Sequence, residues 1–315
     1  MINLIKNEWM KIFKRPGTIV MITILIVAAS ITAGIMKYQQ GGKTAADKNW
    51  VQNLQEENTA LKKQVESSHT KAEKDYYQQT ITTNDYRVKH NIPPQQNYDV
   101  WTFVKDASQL ISFVGLFTII VSAGIVASEF NWGTIKLLLI RPINRNKILL
   151  SKYLTVLMFA IFLLVILFVY STAIGASLFG LPDKAVPYLN YNNGTVSEQN
   201  MVVHLMIYYG INSITMIMLT TMAFMISSVF RNSSLAIGLS IFFMFTGTSI
   251  TQLLAMNFSW AKYILFANTN LMQYFEGSPM VEGMTMSFSI TVLIVYFLIF
   301  QLLSFFIFKK RDVAA

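Results

Sequence analysis

Residues 153–181 read YLTVLMFAIFLLVILFVYSTAIGASLFGL, without one Asp, Glu, Lys, Arg or His. A helix rises 1.5 Å per residue, so about 20 apolar residues cross the ~30 Å hydrocarbon core of a bilayer. A charge-free run longer than that predicts a membrane-spanning helix. The same test finds five more spans, at 17–36, 107–128, 205–230, 233–256 and 285–308, and none of them carries an Asp, Glu, Lys, Arg or His. Composition agrees: 53% of the 315 residues are hydrophobic, 13% are charged and mean hydropathy is +0.45. A chain of this kind is solvated by lipid.

The predicted fold class is therefore all-α: a polytopic membrane protein with six transmembrane helices, an N-terminal interfacial helix at 1–16 and a large extracytoplasmic helical loop at 37–105. The remaining connections are a loop at 129–152, a second outer loop at 182–204, a third outer segment at 257–284 and a tail at 309–315. The first apolar run is longer than the ~7–15 residues of a signal-peptide core, so it is expected to stay as a span.

Orientation follows from Lys and Arg, which are retained on the cytoplasmic side. With the N-terminus inside, the inner segments hold Lys6, Lys11, Lys14, Arg15, Lys136, Arg141, Arg145, Lys147, Lys152, Arg231, Lys309, Lys310 and Arg311. The two short outer loops hold only Lys184 and Lys262. Both termini are thus expected in the cytoplasm. The formal charge of +9 divides into about +10 inside and −1 outside, so the basic balance reports topology. No basic, aromatic-interleaved soluble domain exists to bind nucleic acid.

Several chemistries are excluded by residue type. The chain has no cysteine, and its three histidines, His69, His90 and His204, are scattered, so no metal site is expected. Gly42-Lys43-Thr44 imitates the end of a phosphate-binding loop, but that pattern needs a glycine at position 37, where Lys stands. The spans offer no buried carboxylate to hold a coupling ion. An enzyme would need converging nucleophile, base or metal ligands, and none is expected.

The connections carry the remaining signals. Ile2, Ile5, Trp9, Ile12 and Phe13 recur at helical spacing beside Lys6, Lys11 and Lys14, which predicts an amphipathic helix at the inner surface. It serves either as an anchor or as a lever contacting a partner. Val51, Leu54, Asn58, Leu61 and Val65 fit a short seam with one polar position, to be filled either by another chain or by the rest of the same loop. In the 129–152 loop, Trp132, Ile135, Leu138 and Leu139 share a helical face that Pro142 ends, and Asn144 is placed to cap the third span. Phe258, Trp260, Tyr263, Ile264, Phe266 and Leu271 follow the fifth span and suit a re-entrant or interfacial element.

Glu129, Gly133-Thr134, Lys136-Leu137-Leu138, Arg141-Pro142, Arg145 and Lys152-Tyr153 resemble the loop after the second helix in ABC-2 family permeases of ATP-binding-cassette transporters. Ser227 to Ser233 at the turn between the fourth and fifth spans, and Lys309-Lys310-Arg311-Asp312 after the sixth, extend the resemblance over nearly the whole chain. It implies a non-catalytic permease subunit in a bacterial cell membrane, paired with a second permease, usually a copy of itself. It also implies a separate ATP-binding cassette subunit, with ATP and Mg bound in that partner and no cofactor in this chain. The family's coupling helix falls on 129–140, so the expected ATPase-coupling residues are Glu129, Trp132, Ile135, Lys136, Leu139, Arg141 and Arg145. The alternative for the charged members, Glu129, Lys136, Arg141 and Arg145, is that they are only inner-face topology anchors.

Asn212, Thr215, Met216, Thr220, Thr248 and Gln252 on the fourth and fifth spans are candidate cargo-lining residues, and their mix of Met and Thr suits an amphipathic peptide antibiotic or lipid-like cargo. Small and hydroxyl residues also serve ordinary helix packing in membranes. The expected function is ATP-driven export. The alternative is a membrane sensor or receptor that uses the 37–105 loop.

Overall fold

The computed structural model describes residues 1–40, 49–68, 71–94, 98–134, 143–182, 186–192, 194–230, 232–276 and 279–310. Gly42-Lys43-Thr44, Arg231 and the end of the tail lie outside the described residues. The helices are α1 (Ile2–Phe13), α2 (Pro16–Gln39), α3 (Trp50–Ser67), α4 (Lys71–His90), α5 (Val100–Ala107), α6 (Ile111–Asn131) and α7 (Arg145–Phe179). After the strands β1 (Tyr188–Asn192) and β2 (Thr195–Gln199) come α8 (Met201–Val229), α9 (Ser233–Ala255), α10 (Leu265–Asn268), α11 (Gln273–Glu276) and α12 (Met286–Lys310).

Among the described residues, six helices are long and apolar enough to cross a membrane: α2, the run Val100–Asn131 that joins α5 to α6, α7, α8, α9 and α12. Two helix starts lie ahead of the apolar runs. α7 starts at Arg145, directly after the cap expected at Asn144 and eight residues before the apolar run. Lys147 and Lys152 therefore lie inside a helix, because charge ends the hydrocarbon contact of a helix without ending its backbone hydrogen bonds. The second span begins at Val100 and passes through a 3-10 turn at Ser108–Leu110. The fold is mostly helical but not all-α, since β1 and β2 form an antiparallel hairpin with Tyr188 opposite Gln199 and Asn192 opposite Thr195. Gly194, just before β2, takes φ +87°, a conformation that hairpin turns commonly demand.

The chain divides into two compact units. The first contains Met1–Ala29, Ser108–Val169 and Gly210–Ala315. Its core is formed by Ile119, Ala123 and Ala127 of α6 with Leu219, Met222, Ala223 and Ile226 of α8 and Leu293 and Phe300 of α12. Lipid tails are as apolar as leucine, so close packing and interhelical hydrogen bonds must hold such helices together. Ser122 donates to the Thr220 carbonyl at 2.8 Å, and the Val126 and Ala127 amides donate to Ser227 Oγ at 3.2 and 3.0 Å. Tyr153 and Thr221 share a hydroxyl contact of 2.9 Å.

After α9 the chain folds back against its own unit. Leu265, Phe266 and Leu271 pack on the core between α9 and α12, and Thr215 of α8 donates to the Thr269 carbonyl at 2.8 Å. Gly247 of α9 faces the Phe266 ring so closely that a β-carbon there would overlap it. Asn268 fixes the turn by donating to the carbonyls of Lys262 and Ile264, both at 2.8 Å, while Ser289 donates to its Oδ1 at 2.7 Å.

The second unit contains Ser30–Ala107 and Tyr170–Tyr209. Here α3 and α4 form a helical hairpin. Leu54 and Asn58, from the seam seen in the sequence, are buried; Asn58 donates to Asp85 at 2.8 Å and Asn84 donates to Asn58 at 3.0 Å. The seam is thus filled by the same loop. Tyr86 of α4 donates to Glu198 of β2 at 3.3 Å. At α5, Val100 and Phe103 lie against Gly175 of α7, where a β-carbon would meet them at 3.2 and 3.0 Å. Tyr209 donates to the Val104 carbonyl at 2.8 Å.

Candidate coupling site

Helix α1 places Glu8 and Lys11 three residues apart, hence on one face. The apolar residues beside them pack inward: Ile12 is buried, and the Trp9 and Phe13 rings lie edge-on to Phe162 of α7 at 5.8 and 5.3 Å. Ile2, expected on the same apolar face, is exposed. Docked this way, α1 brings its Glu8 and Lys11 to Glu129 in the last turn of α6 and Lys152 in the second turn of α7.

The four charges close a ring. Lys152 Nζ lies 2.7 Å from Glu8 Oε2 and 3.0 Å from Glu129 Oε1, while Lys11 Nζ lies 2.9 Å from Glu8 Oε1 and 3.0 Å from the same Glu129 oxygen. Thr134 Oγ1 donates to the other Glu129 oxygen, Oε2. It reaches back because Gly133, with φ +68°, turns the chain through the left-handed conformation that commonly ends a helix. Lys152 is 1% exposed, Glu8 5% and Glu129 7%, so these ions are held out of water by mutual neutralisation. Burial alone would lower the Lys11 ammonium, but its hydrogen bonds to Glu8 and Glu129 outweigh that and hold it above the ordinary lysine value.

This ring corrects two sequence readings. The chain does bury carboxylates, and Glu129 faces inward to Lys152 instead of lying on an open loop. Sequence reasoning missed Glu8 and Lys152 as site residues. The available signal was that Glu8 is the only acid in the first 46 residues and sits amid apolar positions, with a lysine at i+3. Trp132 is exposed, with the Arg15 guanidinium 5.1 Å over its ring. Arg145 is half-buried and donates to the Lys309 carbonyl at 3.2 Å, tying the start of α7 to the end of α12. Asn144 accepts from the Asn146 amide at 2.9 Å, the capping bond expected of it. Asn131 donates to Ser233 Oγ at 2.8 Å, so the start of α9 joins the same end of the unit. Ile135, Lys136, Leu139 and Arg141 lie outside the described residues.

The candidate cargo residues do not share one surface. Met216 and Thr220 are buried in helix packing, Met216 against Gly115, while the half-buried Thr215 is engaged with Thr269. Asn212 is half-buried, whereas Thr248 and Gln252 are exposed on α9.

Over its whole length the chain is similar to YhcI of Bacillus subtilis strain 168, with 51% identity across 316 residues and 100% of each chain covered. It is also 32% identical over 198 residues to YdbK of the same strain, described as an uncharacterized membrane protein, covering 62% of this chain and 76% of the relative. The family model described as protein of unknown function DUF2705 matches residues 76–314, and the chain belongs to that family.

Proposed function

We propose that the chain is the membrane subunit of an ATP-binding-cassette exporter, paired with a second permease and driven by ATP hydrolysed in a separate subunit. The observation that carries this reading is the buried ring Glu8–Lys152–Glu129–Lys11. It makes α1 and the ends of α6 and α7 one mechanical piece, placed next to the loop with the resemblance to a coupling helix. A force on that loop or on α1 moves two spans together, because leaving one member of a buried pair unpaired costs roughly 3–5 kcal/mol. Glu129 then acts as an internal strut, and exposed Trp132 is the contact offered to the ATPase.

The carboxylates found in the ring do not favour a proton-coupled carrier. Glu8 and Glu129 each pair with two ammonium groups of this chain, so neither is left open to a coupling ion. The two cytoplasmic termini, the amphipathic cargo and its export remain parts of the same proposal.

Copurification tests the reading. An ATPase with a phosphate-binding loop should copurify with the full chain in mild detergent, and Trp132→Ala should weaken that association. Deleting 129–145 should abolish it. Undiminished capture after both changes would refute the coupling assignment.

A second reading, a ligand-sensing receptor, is favoured by the organised α3–α4 hairpin, which the buried Asn58 and Asn84 fix through hydrogen bonds to each other and from Asn58 to the exposed Asp85. Shortening 43–93 to a brief linker separates the two. An exporter keeps its ATPase partner, whereas a receptor loses its response.

A further inference from the structure

Immediately beyond α9, the eight residues Met256–Tyr263 present four large apolar side chains to the outside: Met256 at 77%, Phe258 at 48%, Trp260 at 52% and Tyr263 at 56% exposure. The backbone beneath them is fixed. Ala261 is fully buried, in a small core with Ala267, Val281 and Met284, and Asn268 holds the Lys262 carbonyl. Tyr296 donates to the Tyr263 carbonyl at 3.2 Å. α9, which leads directly into this segment, runs 23 residues, or about 34 Å along its axis, enough to cross the ~30 Å hydrocarbon core. The segment therefore sits in the outer part of one leaflet, where hydrocarbon gives way to headgroups.

A cation is built into this surface. Lys262 Nζ lies 5.4 Å from the Tyr263 ring centre and 6.0 Å from that of Phe288. Lys262 is also the sole Lys or Arg in 257–284. The exposed flanks of the spans need only acyl chains around them, but this patch sets a fixed ammonium among rings that favour the interface. A zwitterionic choline lipid brings its own cation to compete for its phosphate, whereas a glycerol headgroup leaves the phosphate charge uncompensated. We propose that Met256–Tyr263 together with Phe288 is a docking surface for an anionic phospholipid in the leaflet where α9 ends, with Lys262 on the headgroup phosphate and Trp260 and Tyr263 beside the glycerol backbone. The proposal does not rest on the exporter reading.

Brominated acyl chains quench tryptophan on contact, which supplies the test. The full chain is reconstituted in phosphatidylcholine vesicles containing equal mole fractions of brominated phosphatidylglycerol or brominated phosphatidylcholine. The Trp260 signal is the difference between wild type and Trp260→Phe. Brominated phosphatidylglycerol should quench it more strongly, corresponding to about fivefold local enrichment. Lys262→Gln should remove the preference and Lys262→Arg should keep it, which also separates loss of charge from misfolding. Equal quenching by both lipids in wild type, or a preference that survives Lys262→Gln, overturns the proposal. So does a Trp260 signal that neither lipid quenches, since a protein would then cover the patch.

Discussion

Lys152 Nζ lies 2.7 Å from Glu8 Oε2, an ion pair between residues 144 positions apart in which the lysine is 1% exposed. A pair so enclosed is costly to halve, and its sensitivity should contrast with that of Lys11, whose side chain is 37% exposed. Lys152→Met is expected to destabilise the protein by roughly 3–5 kcal/mol, since Glu8 and Glu129 each lose a buried counter-ion. Lys11→Met should cost about 1 kcal/mol or less after solvent screening. Unfolding midpoints in detergent check the ranking, and equal losses would contradict it.

The same pair predicts non-additivity. Glu8→Gln combined with Lys152→Met removes both charges and should destabilise less than the sum of the single changes, by roughly 0.5–3 kcal/mol. A double-mutant cycle on those midpoints measures the coupling directly, and strict additivity would show that the pair does not act as a unit.

Alkaline pH should loosen α1 through Lys11. Its pKa is raised above the ordinary 10.5, so its contribution to stability is fully present below 10.5 and disappears as pH rises through the higher folded value. The difference in stability between wild type and Lys11→Met should therefore be flat from neutrality to about pH 10. It should narrow only above 10.5. Narrowing at lower pH would contradict the assigned partners Glu8 and Glu129.

Gly247→Ala tests the fold-back after α9. The added methyl would overlap the Phe266 ring, and overpacking of this kind costs typically about 1–3 kcal/mol. Phe266→Leu introduced on top should recover part of the loss, read as protease resistance of 257–284 in detergent. Gly247→Ala without effect would mean that the two residues are not in contact.

Topology is testable by thiol labelling because the chain has no native cysteine. Ser68→Cys should react with an impermeant maleimide on intact cells, while Asn144→Cys should react only after permeabilisation. Labelling of Asn144→Cys from outside would put the proposed ATPase contact on the wrong side.

Hydropathy disclosed the six spans because each is an uninterrupted apolar run, which needs no knowledge of neighbours. The start of α7 was legible from Asn144 as its cap and not from hydropathy, since Arg145, Lys147 and Lys152 are polar yet helical: an apolar run measures hydrocarbon thickness, not helix length. The β-hairpin was signalled by Asn193-Gly194 between Tyr- and Val-bearing segments, a short cue easily lost beside long helices. Glu129 was singled out in the sequence through its motif, as a contact to a partner and not as the buried ion-pair member it is. Its partners were not, because nothing local tells Glu8 that Lys152 will face it. That pairing depends on how α1 docks, through Trp9 and Phe13 on α7.

The span of 144 positions between Glu8 and Lys152 also sets a timetable for biogenesis. A ribosome adding about 5–20 residues per second makes Glu8 wait roughly 7–30 s before its deepest counter-ion is even synthesised. During that interval only water and the nearby cations of its own segment, Lys11 one turn away among them, can attend the carboxylate. The nascent N-terminal helix must therefore linger at the wet surface and close over the bundle only after the third span has been threaded.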